Sequence, residues 1–199
     1  MIIAGKHCAI VGATGTIGTA IARAFASKGA VLSLLGRTAL DMQSKMEPTL
    51  STTVLKRTPD AELSDILGTN LTATMLVCKY AKVQDWGCIV NVSSLMANRP
   101  AAGAAAYAAA KAGVIPGLTS ALCLEMATRS IRVNALLPGW VESPMWDNLR
   151  PTLKEKYLQN TPARRAGTPD EVADAAVFLA SNDFANNCVL NLDGGLSAA

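Results

Sequence analysis

Apolar residues in this chain of 199 residues fall into two patterns, short unbroken runs and stretches spaced three to four apart. His7 to Val11 (HCAIV) is an unbroken run, followed at once by GATGTIG. Ile17, Ile21, Ala24 and Phe25 then recur at helical spacing until Lys28-Gly29 stops the pattern. Ala30 to Leu35 (AVLSLL) is a second buried-type run, ending at Gly36-Arg37. Strand, glycine turn, helix and strand within about 30 residues make a βαβ unit, and its crossover implies a parallel sheet. Ala39 to Met46 predicts a short helix closed by Pro48. A longer helix follows, with Thr58 as N-cap, Pro59 at its first position and Asp60 and Glu62 complementing the dipole. It carries Leu63, Ile66, Leu67, Leu71 and Leu76 towards Tyr80.

Cys88 to Val92 (CIVNV) is the next strand, and Ala101 to Arg129 is mostly helical with Pro116 as an expected kink. Ile131 to Leu137 is a strand ending at Pro138-Gly139, and Trp140 to Thr161 reads as a mobile, mixed segment of the kind that forms a lid. Thr168-Pro-Asp-Glu171 is a capping box opening a helix through Ala180, and Cys188 to Leu192 (CVLNL) is the last strand. No linker and no repeat interrupts the chain, so one domain over residues 1–199 is expected.

Composition narrows the function classes. Half the residues are hydrophobic and 17% charged, which excludes a disordered tail and fits one soluble domain with an aliphatic core. The net charge of +3 comes without a run of five like charges; it suits a phosphate-bearing small molecule and gives no nucleic-acid footprint. The five cysteines are scattered without a CxxC and read as reduced core residues, neither disulfides nor metal ligands. The single histidine, His7, leaves no His-based triad or metal site and reads as a loop or strand-edge residue. No apolar stretch reaches the ~18 residues of a membrane span. Met1 lies almost on the first strand, so no presequence is expected; the expected compartment is the cytoplasm, with mitochondria as the alternative.

The glycine turn is the first chemical signal. Between a buried strand and a helix N-terminus, glycine lets backbone N–H groups approach a pyrophosphate in a favourable potential. Gly12, Thr14, Gly15, Thr16, Ile17 and Gly18 are therefore candidate dinucleotide contacts, the alternative being a tight structural turn. After the second strand an acidic residue would bond the ribose 2′-hydroxyl. Arg37 stands there instead and accommodates a 2′-phosphate, favouring NADP(H) over NAD(H).

The second signal is Tyr107 and Lys111, one helical turn apart, with Ser94 just beyond the CIVNV strand. A phenol, with a reference pKa near ~10, acts near neutrality only where a cation stabilises the phenolate. Lys111 would supply that cation and lower the Tyr107 pKa. Tyr107 could then protonate a carbonyl oxygen as hydride reaches its carbon, with Ser94 holding the same oxygen. A Tyr-x3-Lys pair alone is an ordinary amphipathic helix face; its position after the glycine turn and the strand-Ser element favours the chemical reading.

These features together resemble the single-domain short-chain dehydrogenases/reductases. The resemblance rests on the glycine turn, Asn70 in LGTNLTATM, NVSS ending at Ser94, Tyr107-Ala-Ala-Ala-Lys111, the Pro138-Gly139 corner, and RAGTPDEVADAAVFLAS with VLNLDGG. It covers nearly the whole chain and is nearest to 3-oxoacyl-[acyl-carrier-protein] reductases and related carbonyl reductases. It implies an α/β, Rossmann-like, doubly wound parallel sheet with helices on both faces. It also implies a catalytic set of Asn70, Ser94, Tyr107 and Lys111, in which Asn70 relays protons and Lys111 also holds the nicotinamide ribose. Ser94 rather than Ser93 matches the family spacing of thirteen residues before Tyr107. Pro138, Gly139, Val141 and Ser143 would line the nicotinamide side, and a homotetramer or dimer is expected.

Three departures qualify that pattern. Thr16 stands where the family has a glycine, Pro116 interrupts the Tyr107 helix, and the interval Thr38 to Ala61 holds only 24 residues. Two helices of ~11 and two strands of ~5 need more than that. One or two strands between Arg37 and Glu62, together with an Asn-Ala-Gly motif, are expected to be missing unless Ser51 to Leu55 substitutes. The expected function is NADPH-dependent reduction of a ketone, such as a 3-oxoacyl thioester, to a secondary alcohol, as in fatty acid biosynthesis. The alternatives are a non-catalytic or truncated member that keeps the scaffold but binds cofactor poorly, and NAD-linked alcohol oxidation.

Overall fold

The computed structural model describes residues 3–35 and 54–198, the side chain of Pro116 excepted. In chain order the strands are β1 (His7–Val11), β2 (Val31–Leu35), β3 (Cys88–Val92), β4 (Arg132–Pro138) and β5 (Val189–Leu192). The helices are α1 (Thr16–Ser27), α2 (Asp60–Leu67), α3 (Ala73–Tyr80), α4 (Ala105–Ala112), α5 (Ser120–Glu125), α6 (Pro144–Asp147), α7 (Pro151–Asn160) and α8 (Pro169–Ser181). Contacts gather the described residues into two compact units. One holds 3–35, 138–184 and 192–198, and the other 54–137 and 185–191.

In the first unit β1 and β2 pair in parallel, His7 opposite Val31 through Val11 opposite Leu35. His7 lies on this ladder, its Nε2 2.7 Å from the Ser33 hydroxyl across the strands. Helix α1 ends where Gly29 turns left-handed (φ +80°), with its N–H on the Ala26 carbonyl and that of Ala30 on Phe25. Its inner face closes a small core of Ile10, Ala13 and Ala22 with Ile21 and Leu32. The apolar run in β2 predicts burial on both faces, but Val31, Leu34 and Leu35 are exposed. Among the described residues two strands pair here, and a parallel strand is buried on both faces only where layers cover both.

Helix α8 packs against α1 and buries six residues, including Val172, Val177 and Leu179. The predicted capping box opens it: the Thr168 hydroxyl accepts from the Glu171 N–H, and the Glu171 carboxylate accepts from the Thr168 N–H. The Trp140–Thr161 segment is built from α6 and α7, whose Trp146 and Tyr157 gather around the Trp140 ring at 5.8 and 4.4 Å.

In the second unit the sheet order is β3-β4-β5, with Cys88 opposite Arg132 through Val92 opposite Leu136. Every residue of β4 is buried. Asn134, fully covered, is satisfied by donating to the Ala185 carbonyl and accepting from the Cys188 N–H. Among the described residues no strand falls between β2 and β3. The predicted helix at 39–46 lies outside the described residues, as do 51–53 of the candidate substitute strand. Leu55 does not join a sheet: it opens a 3₁₀ turn, Leu55–Arg57, closed by local bonds from Arg57 to Val54 and from Thr58 to Leu55. Those bonds shift the next helix start by one residue. Pro59 is the N-cap of α2, and the Thr58 hydroxyl donates back to Val54 instead.

Both long helical stretches of this unit change register partway. Helices α2 and α3 are joined by a π-helical turn at Gly68–Thr72, and α4 and α5 by another at Gly113–Thr119. The second contains Pro116, so the expected kink takes the form of a widened turn. A residue without an N–H breaks the i to i−4 ladder, and a π turn lets the chain pass that gap while remaining helical. By length and hydropathy alone the run Ala105–Glu125 would pass for a membrane span. Its contacts with Ile89, Val133 and Ala135 tie it to the sheet.

Candidate active site

Within the second unit Ser94, Tyr107 and Lys111 come from neighbouring pieces of chain. Strand β3 ends at Val92, and Ser94 follows in extended conformation as the N-cap of the 3₁₀ turn Leu95–Ala97. Its Oγ accepts the Met96 N–H at 3.2 Å, and its hydroxyl acts on the Tyr107 phenol, lowering its pKa. Tyr107 and Lys111 project from one side of α4, with Lys111 Nζ 5.6 Å from the Tyr107 ring centroid. The Ala-rich sequence of α4 lets the helix seat closely, with Ala106, Ala108 and Ala110 buried.

Burial dominates the electrostatics. It pushes the Tyr107 phenol up from its ordinary value, and the Ser94 hydrogen bond offsets only part of that. It pulls the Lys111 ammonium down to about 8. At the Tyr107 phenol, burial outweighs the lowering that the sequence reading assigns to Lys111. Taking either charged form out of water is unfavourable, and at 5.6 Å from the ring the ammonium does not reverse the sign.

Asn70 is buried in the first π turn. Its Nδ2 donates to the Ile66 carbonyl at 3.0 Å, and its own carbonyl accepts from Thr74. That turn packs on α4 through Leu71, whose methyl groups lie where a Cβ on Gly113 would come within 3.2 Å. Ser94, Tyr107 and Lys111 thus meet directly, whereas Asn70 joins through the packing of its turn.

The first unit carries the glycine turn. Gly12 sits at φ +77°, and its carbonyl accepts the Gly15 N–H at 3.0 Å. A Cβ on Gly18 would collide with that same carbonyl, so Gly18 packs helix against turn. Gly15 is the N-cap of α1; it has no side chain to cap the helix, and no acid stands in the first turn. The opening N–H groups of α1, from Thr16, Ile17 and Gly18, are thus left without an intrahelical partner or side-chain cap, a donor set that fits a diphosphate. Thr14 and Thr16 line an open cleft of about 380 Å³ with Thr19, Arg23 and Asp170. Thr16 is the first residue of α1, so the side chain at the expected glycine position stands on the helix start.

At the end of β4, Gly139 donates to the Leu192 carbonyl, and a Cβ there would meet Asp193 at 2.8 Å. Val141 is buried and bridges to Gly167. Ser143 caps α6, accepting from Trp146 N–H and donating to the Val141 carbonyl. Arg37 lies outside the described residues.

Sequence reasoning assigned no role to three buried polar residues at the end of β3 and in the second π turn. Asn91 Nδ2 donates to the Thr119 hydroxyl at 3.1 Å, Thr119 donates to the Val114 carbonyl at 2.7 Å, and Ser93 Oγ donates to the Lys111 carbonyl at 2.8 Å. The signal for two of them was present in NVSS: polar residues two apart at the end of an apolar strand share one face.

Comparison with known proteins agrees with this fold. The family model described as enoyl-(acyl carrier protein) reductase matches residues 42–197. The chain belongs to the short-chain dehydrogenase/reductase family of oxidoreductases. It is 40% identical to the 3-oxoacyl-[acyl-carrier-protein] reductase FabG of Chlamydia muridarum, a match covering 72% of this chain and 60% of that protein. The chain thus spans about 60% of the length of the chlamydial relatives it matches. With the FabG of Thermotoga maritima it is 32% identical over 245 aligned positions, covering 98% of this chain and 99% of the relative. An alignment of 245 positions against 199 residues leaves at least 46 without a counterpart here. The structure of 3-hydroxyacyl-CoA dehydrogenase type-2 from Mycobacterium avium superposes with a TM-score of 0.83, at 23% identity, over 97% of this chain and 96% of that one. The α/β Rossmann-like fold is shared with it.

Proposed function

We propose that the protein is an NADPH-dependent ketone reductase acting on a 3-oxoacyl thioester or a similar carbonyl. The observation that carries this reading is the half-buried Tyr107 with the Lys111 ammonium 5.6 Å from its ring on the same helix and the Ser94 hydroxyl acting on its phenol. Relatives named as 3-oxoacyl-[acyl-carrier-protein] reductases support the substrate class and a role in fatty acid biosynthesis. When bound, a reduced nicotinamide supplies the hydride. Ser94 holds the carbonyl oxygen and polarises it, and Tyr107 delivers the proton to that oxygen. A phenol whose pKa is raised keeps its proton at neutral pH, which suits the reducing direction. The Lys111 ammonium stabilises the phenolate left behind, and Asn70 stands at the start of the path that replaces the proton. The N–H groups at the start of α1 hold the diphosphate, with Arg37 selecting the 2′-phosphate and Pro138, Gly139, Val141 and Ser143 beside the nicotinamide.

The test is a fluorescence titration with NADPH and with NADH, followed by reduction of a 3-oxoacyl thioester. Saturable binding that prefers NADPH is expected, with the preference lost in Arg37→Ala. Tyr107→Phe should lower turnover by about 10²–10⁴-fold with cofactor affinity unchanged. A fully active Tyr107→Phe overturns the assignment. A second reading, a family member that keeps the scaffold without catalysis, is favoured by the aligned positions that have no counterpart here. Absence of cofactor binding by well-folded protein would establish it.

A further inference from the structure

We propose that Ser93 is a positioning residue for Lys111: its hydroxyl supplies the hydrogen bond that proline at position 116 cannot give the helix carrying the ammonium. The inference rests on the reading of Lys111 as the partner of Tyr107. In an α-helix a carbonyl takes its bond from four residues on, and in a π turn from five. The helix changes from the first register to the second between Ala112 and Gly113, one residue beyond Lys111. Five residues on from Lys111 is Pro116, which has no N–H. The Ser93 Oγ sits on that carbonyl at 2.8 Å.

Ser93 is itself held rigidly. It is buried, and its N–H extends the β3–β4 ladder by donating to the Leu136 carbonyl at 2.8 Å. Two residues earlier on the same face, Asn91 grips the next part of the π turn through the Thr119 hydroxyl, which in turn donates to the Val114 carbonyl. The end of β3 therefore clasps the widened helix at two points, the carbonyls of Lys111 and Val114. The catalytic serine next door, Ser94, emerges from the same strand end. One backbone thus sets both the Ser94 hydroxyl and the turn from which Lys111 projects. Burial holds the Lys111 ammonium at about 8, so its titration reads how this turn is seated.

The experiment compares wild type, Ser93→Ala, Ser93→Thr, and Ser93→Ala combined with Pro116→Ala, which restores a backbone donor. The first readout is the Lys111 titration midpoint from carbon NMR of lysine-labelled protein, assigned with Lys111→Arg; it needs neither cofactor nor turnover. The second is kcat and KM for ketone reduction. In Ser93→Ala the midpoint should rise from about 8 towards the ordinary lysine value of 10.5, and kcat should fall about ten- to a hundredfold with KM little changed. Ser93→Thr should retain wild-type behaviour, and Pro116→Ala should recover much of the Ser93→Ala loss. If Ser93→Ala does not fold, Ser93→Cys, with a weaker donor of similar volume, should show the same shifts reduced. An unchanged midpoint in a folded Ser93 variant, or a loss that Pro116→Ala leaves untouched, overturns the proposal. In a chain that reduces no ketone, the reductase reading fails and the titration arm still decides the role of Ser93.

Discussion

Burial acts in opposite directions on the two ionisable groups of α4, and the consequence is a pH window. The Tyr107 phenol is raised, so it keeps its proton through neutrality; the Lys111 ammonium is lowered to about 8, so it loses its charge first. Proton delivery to a carbonyl needs the phenol protonated and the ammonium charged. Reduction should therefore hold steady below about pH 8 and fall as Lys111 deprotonates above it. A kcat profile between pH 6 and 10 checks this, and a rate that rises through pH 8 contradicts it. The stability linkage has a definite sign. Folding disfavours the Lys111 ammonium, so Lys111 weakens the fold below about 8, and that penalty fades between about 8 and 10.5. At this scale the sequence named the residue types and their spacing. The net direction of the Tyr107 shift was not legible there, because it depends on how much protein covers the ring.

Helix ends and helix registers were legible to different degrees. The capping box at Thr168 and Glu171 is a contact between residues three apart, so neighbours in sequence suffice to define it. Arg165 reinforces it by pairing with Glu171 and holds that carboxyl at about 2, with the Thr168 backbone as the second cause. The carboxylate's contribution is complete above the ordinary value of 4.5 and is lost as pH falls through about 2. Thr168→Ala should lower stability by about 0.5–2 kcal/mol in urea titration at neutral pH, and no change in the urea midpoint would contradict the role given to this cap. The two π turns were not legible. Periodicity over eleven or more residues reports an apolar face but does not separate a 3.6-residue turn from a single wider one. Those turns depend on what grips the helix from outside: Leu71 against Gly113, and Asn91 and Ser93 on the second turn.

For the molecule as a whole, the surface left uncovered bears on assembly. On α3, Met75, Leu76 and Tyr80 are exposed, and on α5 Leu124 is 78% exposed. Apolar side chains on two helices of one unit are candidates for burial against further copies of the chain. We propose a homo-oligomer, and light scattering should give two or four times the protomer mass. Leu124→Glu combined with Tyr80→Glu should shift the mass towards the monomer while the far-ultraviolet circular dichroism stays unchanged. A monomeric wild type overturns it.

The sequence by itself determined what neighbours along the chain determine. β1 and β3 ran as the apolar runs predicted, α1 stopped at Gly29, and the capping box opened α8. The family, too, was readable from motifs of a few residues. The short interval before Glu62 was countable, and the aligned positions without counterpart agree with it. Tertiary structure alone decided the exposure of β2, the registers around Asn70 and Pro116, and the signs of the Tyr107 and Lys111 shifts. The physical reason is range. Caps, turns and periodicity arise between residues a few positions apart, whereas burial, desolvation and side-chain bonds to a distant carbonyl arise where distant segments pack. Ser93 and Lys111 are eighteen residues apart in sequence and 2.8 Å apart at the bond that joins them.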